Sequence, residues 1–278
     1  MGARISFQGE LGAYSHQACL EACPEFEPVP AATFEGAIDL VREGRAERAM
    51  LAIENSTYGR VADVHQLLPE SGLNIIAEHF VRVRINLLGV PGAGIDAVRE
   101  AVSHPVLLGQ CRSFLRERGI ARITGTDTAG SARLVLERGD PGLAALASPL
   151  ASEIYGLDVL AEGIEDNHTN RTRFVVMSPE AGARQADTQM MTAFLFQVRN
   201  IPAALYKAMG GFATNGVNMV KLESYMLNGS FTATQFLAEI EGHPDDPAVA
   251  RALEELDYFT SELTIIGVYP ASPLRAGH

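Results

Sequence analysis

A chain of 278 residues that is 47% hydrophobic is long enough for two domains, each with a core that needs no disulfide or metal staple. Its formal charge of −12 argues against nucleic acid or an anionic membrane surface as partner, and no apolar run approaches the ~20 residues of a membrane helix. No secretory leader is visible, so the chain reads as cytoplasmic and Cys19, Cys23 and Cys111 as free thiols.

Arg4 to Phe7 reads as a strand, and Ser15 as the cap of a helix running toward Ala22. Thr33 caps a second helix whose Phe34, Ala37, Ile38 and Val41 share one face. Ala49 to Ile53 is a buried strand, and Leu73 to Leu88 holds one long strand or two short ones. Pro105 to Arg118 follows as a helix. Two further strand-helix units come next, Ile123 to Thr126 with Thr128 to Arg138, and Leu143 to Ala147 with Pro149 to Tyr155. Thr172 to Met177 closes the series. This alternation predicts an α/β architecture with largely parallel sheets, whose ligands sit beyond strand ends.

Ser178 to Thr188 is polar, small and contains proline, and reads as a linker. Beyond it the order changes to strand Met191–Val198, helix Ala203–Ala213, strands Met219–Met226 and Phe231–Glu241, helix Pro247–Leu256 and strand Ser261–Val268. Asn228-Gly229 is a hairpin signal between the middle strands. The pattern is the α+β, ferredoxin-like β-α-β-β-α-β order. A sheet covered on one face by two helices leaves an open side, so homo-oligomerisation is expected.

The cations narrow the chemistry. Lys207 and Lys221 are the sole lysines, so nothing before Lys207 can form a Schiff base, while arginine suits carboxylates. Gly9 to His16 joins a strand to a helix and offers either an anion-binding turn or an ordinary glycine turn. Gly89, Gly92 and Gly94 do not follow the dinucleotide fingerprint and read as a surface turn. His16, Cys19 and Cys23 have helical spacing but no fourth ligand nearby, so no metal is expected.

Two polar groups follow buried strands, Glu54-Asn55-Ser56 and Ser103-His104-Pro105 with Gln110, and a third, the loop Glu162 to Arg173, precedes the strand it enters at Phe174. Each has a plainer alternative as a capped turn, a helix cap or a solvated loop. Their convergence on strand ends favours a ligand cleft.

Gly12-Ala13-Tyr14-Ser15, Ile53-Glu54-Asn55-Ser56, Ser103-His104-Pro105 with Gln110, and Thr172-Arg173-Phe174 resemble the prephenate dehydratase family in order and spacing. Asn215-Gly216-Val217-Asn218 and Lys221-Leu222-Glu223-Ser224 resemble that family's C-terminal ACT regulatory domain. The resemblance implies a catalytic region over 1–178 made of two lobes similar to type 2 periplasmic binding proteins. The lobes would span 1–77 with 164–178, and 78–163, followed by a linker at 179–188 and an ACT domain at 189–272. No chorismate mutase segment precedes the catalytic region, so the monofunctional form is expected.

The same resemblance implies a cofactor-free lyase acting on prephenate. It assigns Thr172 as donor to the departing hydroxyl, with Asn55, Ser103 and Gln110 positioning the ring and Glu54 orienting Asn55. Arg173, Ser15, Ser56 and Phe174 would line the substrate. Phenylalanine would bind between ACT domains of a dimer or tetramer, at Pro202, Ala203, Ala204, Leu205, Asn215, Asn218, Glu223 and Ser224. Two family segments differ here. A Pro-Gly-Ala-Leu turn reads Pro202-Ala203-Ala204-Leu205, and a Glu-Ser-Arg-Pro segment reads Glu223-Ser224-Tyr225-Met226. Alternatives are an arogenate dehydratase, a non-catalytic solute-binding module and a non-catalytic amino-acid sensor.

Overall fold

The computed structural model describes residues 2–226 and 233–277. Contacts divide the chain into two compact units, Met1–Val64 with His79–Phe174, and His65–Glu78 with Val175–His278. The division is therefore no single cut in sequence. No helix among the described residues is long and apolar enough to cross a membrane.

In the first unit, β1 (Arg4–Gln8) lies between β2 (Glu27–Ala31) and β3 (Arg48–Asn55), all three parallel. Helices α1 (Tyr14–Ala22) and α2 (Phe34–Arg42) make the crossovers. Strand β2, reading EPVPA, was not expected from sequence, because Pro28 and Pro30 remove ladder donors. It is tolerated because β2 is the outer strand, bonded on one side only. Thr33 caps α2, accepting from Gly36 N at 3.0 Å. Ser15 does not cap α1; Ala13 holds that position without a side-chain bond, and Ser15 is buried in the first turn. His16 serves the turn instead, its Nδ1 accepting from Gly12 N at 3.0 Å while the ring stacks on Phe7.

Beyond β3 the chain folds back as β4 (Gly59–Arg60), then forms α3 (Ala62–Leu67) and β5 (Asn74–Arg82). A second sheet follows from β6 (Asn86–Gly89), β7 (Glu100–Ser103), β8 (Ala121–Thr124), β9 (Leu143–Ala147) and β10 (Asp158–Ala161), in the order β10-β6-β9-β7-β8. It is mixed and not largely parallel. Strand β6 brings the chain into this lobe and β10 takes it out by the same end, so the two run antiparallel. The stretch Leu73 to Leu88 thus holds two strands.

Both faces of this second sheet are buried. Leu87, Ala101 and Leu146 face one cluster with Leu107, Cys111 and Leu115, while Leu88, Val102 and Ala145 face another with Ala132 and Val135. That is why Leu143 to Ala147 is apolar throughout. The helix expected over Pro105 to Arg118 is two, α4 (Pro105–Gln110) and α5 (Arg112–Glu117), broken at Cys111. Asp166 intervenes there: its N–H donates to Gln110 O at 2.6 Å and its carboxylate accepts from Ser113 N. Helices α6 (Thr128–Arg138) and α7 (Pro149–Tyr155) are capped by Asp127 and Ser148. Strand β11 (Arg171–Ser178) returns beside β3.

The second unit contains β12 (Met190–Val198), α8 (Ala204–Thr214), β13 (Met219–Met226), β14 (Ala233–Glu241), α9 (Pro247–Phe259) and β15 (Thr260–Pro270). The sheet order is β13-β14-β12-β15-β5. Its core packs Phe194, Phe196 and Phe236 against Phe212 of α8 and Leu256 of α9. The expected turn at Asn228-Gly229 and the start of its following strand lie outside the described residues. Gly267 of β15 sits beside Ile75 of β5, where an added Cβ would lie 2.6 Å from Ile75 O. A final helical turn, Pro273–Gly277, brings Arg275 onto two glutamates whose side chains are 0% and 1% exposed: Nε to Glu78 Oε1 at 2.5 Å and Nη2 to Glu239 Oε2 at 3.0 Å.

Candidate active site

The site is built where the turn after β3 meets the start of β11. Asn55 Oδ1 accepts from Thr57 N and Tyr58 N, both at 3.0 Å, and these two backbone donors fix which end of the amide points where. Its Nδ2 is thereby turned toward Asn170 Oδ1 at 2.8 Å, Thr172 Oγ1 at 3.1 Å and Arg171 O at 3.2 Å. Ser56 clamps the same two segments: its N–H donates to Arg171 O at 2.9 Å, and its Oγ accepts from Arg171 N at 3.0 Å. Since Thr172 Oγ1 accepts from Asn55, its own hydrogen is left to point elsewhere.

Other expected residues fall less centrally. Glu54 lies 3.8 Å from Arg173, not against Asn55, because neighbours on a strand face opposite sides. Asn170, 1% exposed, holds Asn55 instead; sequence singles it out only as part of the polar loop Glu162 to Arg173. Arg173 is 5% exposed and Phe174 is core. Ser103 is fully buried and donates its hydroxyl hydrogen to Leu146 O at 2.7 Å, which ties β7 to β9 and leaves no donor for a ligand. Gln110 is buried with Oε1 unpartnered among the described residues, and the Ser15 hydroxyl also has no hydrogen bond among them.

The two lobes of the first unit are also joined through the turn after β1. Arg133 of α6 grips Glu10 with Nε and Nη2, each at 3.0 Å, and Tyr155 OH donates to Leu11 O. Gly12, at φ 89°, passes so close that a Cβ would stand 3.0 Å from Ala151 Cα. Hydrogen bonding to Arg133 holds the Glu10 carboxyl below its usual 4.5. The folded state thus favours the charged form, and the pair's contribution is complete above pH 4.5 and is lost as pH falls through the depressed value. The melting-temperature gap between wild type and Arg133→Ala is therefore expected to be widest near neutrality and to close in acid. A gap that stays constant down to pH 3 would rule out this ion pair as its source.

In the second unit, Ala203 is the N-cap of α8 at φ 62°, a left-handed conformation that favours glycine, and it makes no side-chain cap. Pro202 is exposed beside it, and Ala204 and Leu205 are half-buried. Asn215 was expected to meet a ligand, but its side chain is engaged by α9. Its Nδ2 donates to Glu255 Oε1 at 2.9 Å and its Oδ1 accepts from Arg251 Nε at 3.0 Å, as suits a helix C-cap. Asn218 and Ser224 are exposed, and Glu223 lies 3.9 Å from Lys221. Tyr225 is stacked on His65, with its hydroxyl 2.5 Å from Nδ1.

A sequence model described as prephenate dehydratase matches residues 5–182. A Komagataeibacter europaeus protein named bifunctional N-acyl-homoserine lactone acylase/prephenate dehydratase is 51% identical over 98% of this chain and 97% of its own. Arogenate dehydratase/prephenate dehydratase 1 of Arabidopsis thaliana is 36% identical over 98% of this chain and 73% of its own. The solved structure of prephenate dehydratase from Arthrobacter aurescens in complex with L-Phe superposes with a TM-score of 0.88 at 29% identity, covering 97% of this chain and 92% of that one.

Proposed function

The chain belongs to the prephenate dehydratase family, and from that we propose that it converts prephenate to phenylpyruvate, carbon dioxide and water. Breaking the bond to the ring carboxylate sends its electron pair into the ring, which becomes aromatic as the C4 hydroxyl departs. Hydroxide is a poor leaving group, so the site's task is to hydrogen-bond that oxygen as charge develops on it. The observation that carries the reading is the fixed Asn55 amide donating to Thr172 Oγ1. That bond turns the threonine hydrogen outward and stabilises Oγ1 as the hydrogen is drawn toward the leaving oxygen. Gln110, buried with Oε1 unpartnered among the described residues, suits a second polar contact to substrate.

Phenylpyruvate formation by the purified protein tests this directly, with arogenate assayed in parallel because the Arabidopsis relative's name carries both substrates. Absence of turnover on both would end the dehydratase reading. The acylase named for the Komagataeibacter relative is no part of this proposal.

The second unit is proposed as an ACT-type regulatory domain that binds phenylalanine between copies, as its β-α-β-β-α-β order and the L-Phe complex of the Arthrobacter relative support. Val220, Leu222 and Met226 leave apolar surface exposed on the outer strand β13, which suits a homo-oligomer. Phenylalanine titrated into the full chain is expected to release or absorb heat in calorimetry, and Ala204→Trp to abolish it. Binding unchanged by Ala204→Trp would place the effector elsewhere.

A further inference from the structure

Asn170 is the residue around which the site is tied together, and nothing in its sequence neighbourhood distinguishes it. Its backbone carbonyl accepts from Val83 N at 2.9 Å, on the segment that carries the chain into the second lobe. Its side-chain Oδ1 accepts from Asn55 Nδ2 at 2.8 Å, the shortest of that nitrogen's three contacts, and from Ser56 Oγ at 3.4 Å. The amide is 1% exposed, and its Nδ2 has no hydrogen-bond partner among the described residues.

That unsatisfied donor is informative. The backbone donors on Asn55 Oδ1 fix the Asn55 amide, and Asn55 in turn fixes Asn170 with Oδ1 inward. Rotating the Asn170 amide by half a turn would set two NH2 groups against each other. A leucine would fill the same space without burying an orphan N–H, which is costly in a folded interior. Stability alone therefore does not account for asparagine here. An acceptor does: Asn55 Nδ2 has two hydrogens, and with Asn170 holding one, the other is shared between Thr172 Oγ1 at 3.1 Å and Arg171 O at 3.2 Å.

We infer that Asn170 is a positioning residue for the dehydration, holding the Asn55 amide so that its second hydrogen polarises Thr172. Through Val83 it also ties that alignment to the crossing between lobes. This role rests on the dehydratase reading above, and the test separates the two. Wild type, Asn170→Leu and Asn170→Asp are compared on prephenate, with thermal unfolding followed alongside. Asn170→Leu removes the acceptor at nearly constant shape; Asn170→Asp keeps it. The expected result is that Asn170→Leu loses about tenfold in kcat, the worth of one hydrogen bond, with KM within about twofold. Asn170→Asp is expected to retain at least about a third of wild-type kcat. Unchanged kcat in both variants overturns the inference. So do equal losses in both that track a lowered melting temperature, since those mark a purely structural residue. An inactive wild type would instead defeat the dehydratase reading, and this role with it, before any variant is compared.

Discussion

Thr172→Ala is expected to lower kcat on prephenate by about a hundredfold or more, with KM changed by less than about threefold. The departing hydroxyl needs its hydrogen bond chiefly as the C–O bond breaks, so the contact contributes to the transition state and little to substrate binding. Folding should be unaffected. Thr172 is half-buried, and among the described residues its hydroxyl is bonded to Asn55, whose Nδ2 keeps Asn170 Oδ1 and Arg171 O as acceptors. Thr172→Ser restores the hydroxyl and should recover much of the rate, whereas Thr172→Val keeps the shape and should not. Retention of more than about a third of wild-type kcat by the alanine variant would remove Thr172 from the chemistry.

Arg275→Ala is expected to cost about 3 kcal/mol or more of stability in urea unfolding, the usual result of deleting one partner of a buried ion pair. The guanidinium meets both Glu78 oxygens, at 2.5 and 2.8 Å, and reaches Glu239 at 3.0 Å. Glu78 Oε1 also accepts from Ser272 N, so the tail is held by backbone as well as by side chain. At roughly 2–4 °C per kcal/mol, the melting temperature should fall by roughly 10 °C. A loss below about 1 kcal/mol would mean that the glutamates find sufficient compensation elsewhere, with Lys221, opposite Glu239 on the neighbouring strand, the nearest cation in register.

Much of this architecture is legible locally, because helices with a clear apolar face and strands bounded by turns announce themselves. Strand β2 does not, since two prolines suppress the very signal that defines a strand, and only its edge position makes them harmless. The break at Cys111 is equally invisible, because its cause is Asp166, a residue far along the chain. The site divides in the same way. Asn55, Ser56 and Thr172 stand at strand ends, where polar groups draw notice. Asn170 and Arg275 act on partners 115 and 197 residues away, and a pairing that distant leaves no local pattern. Ser103 shows what sequence leaves out: a polar residue after a strand also fastens that strand to the next.

The grouping of His65–Glu78 with the C-terminal part of the chain has a consequence during synthesis. Ile75 leaves the ribosome long before Gly267, its neighbour in β15, has been made. At roughly 5–20 residues per second, β5 waits on the order of 10–40 s with that edge unpaired. An open apolar edge is a template for aggregation, and a charge set within it is a known safeguard. Glu78 stands in the middle of β5, among Ile75, Ile76, Ala77 and Phe80, and it meets Arg275 when that residue arrives 197 positions later. The carboxylate that is a burden in the finished fold is thus a guard for the nascent one, dismissed when Arg275 appears.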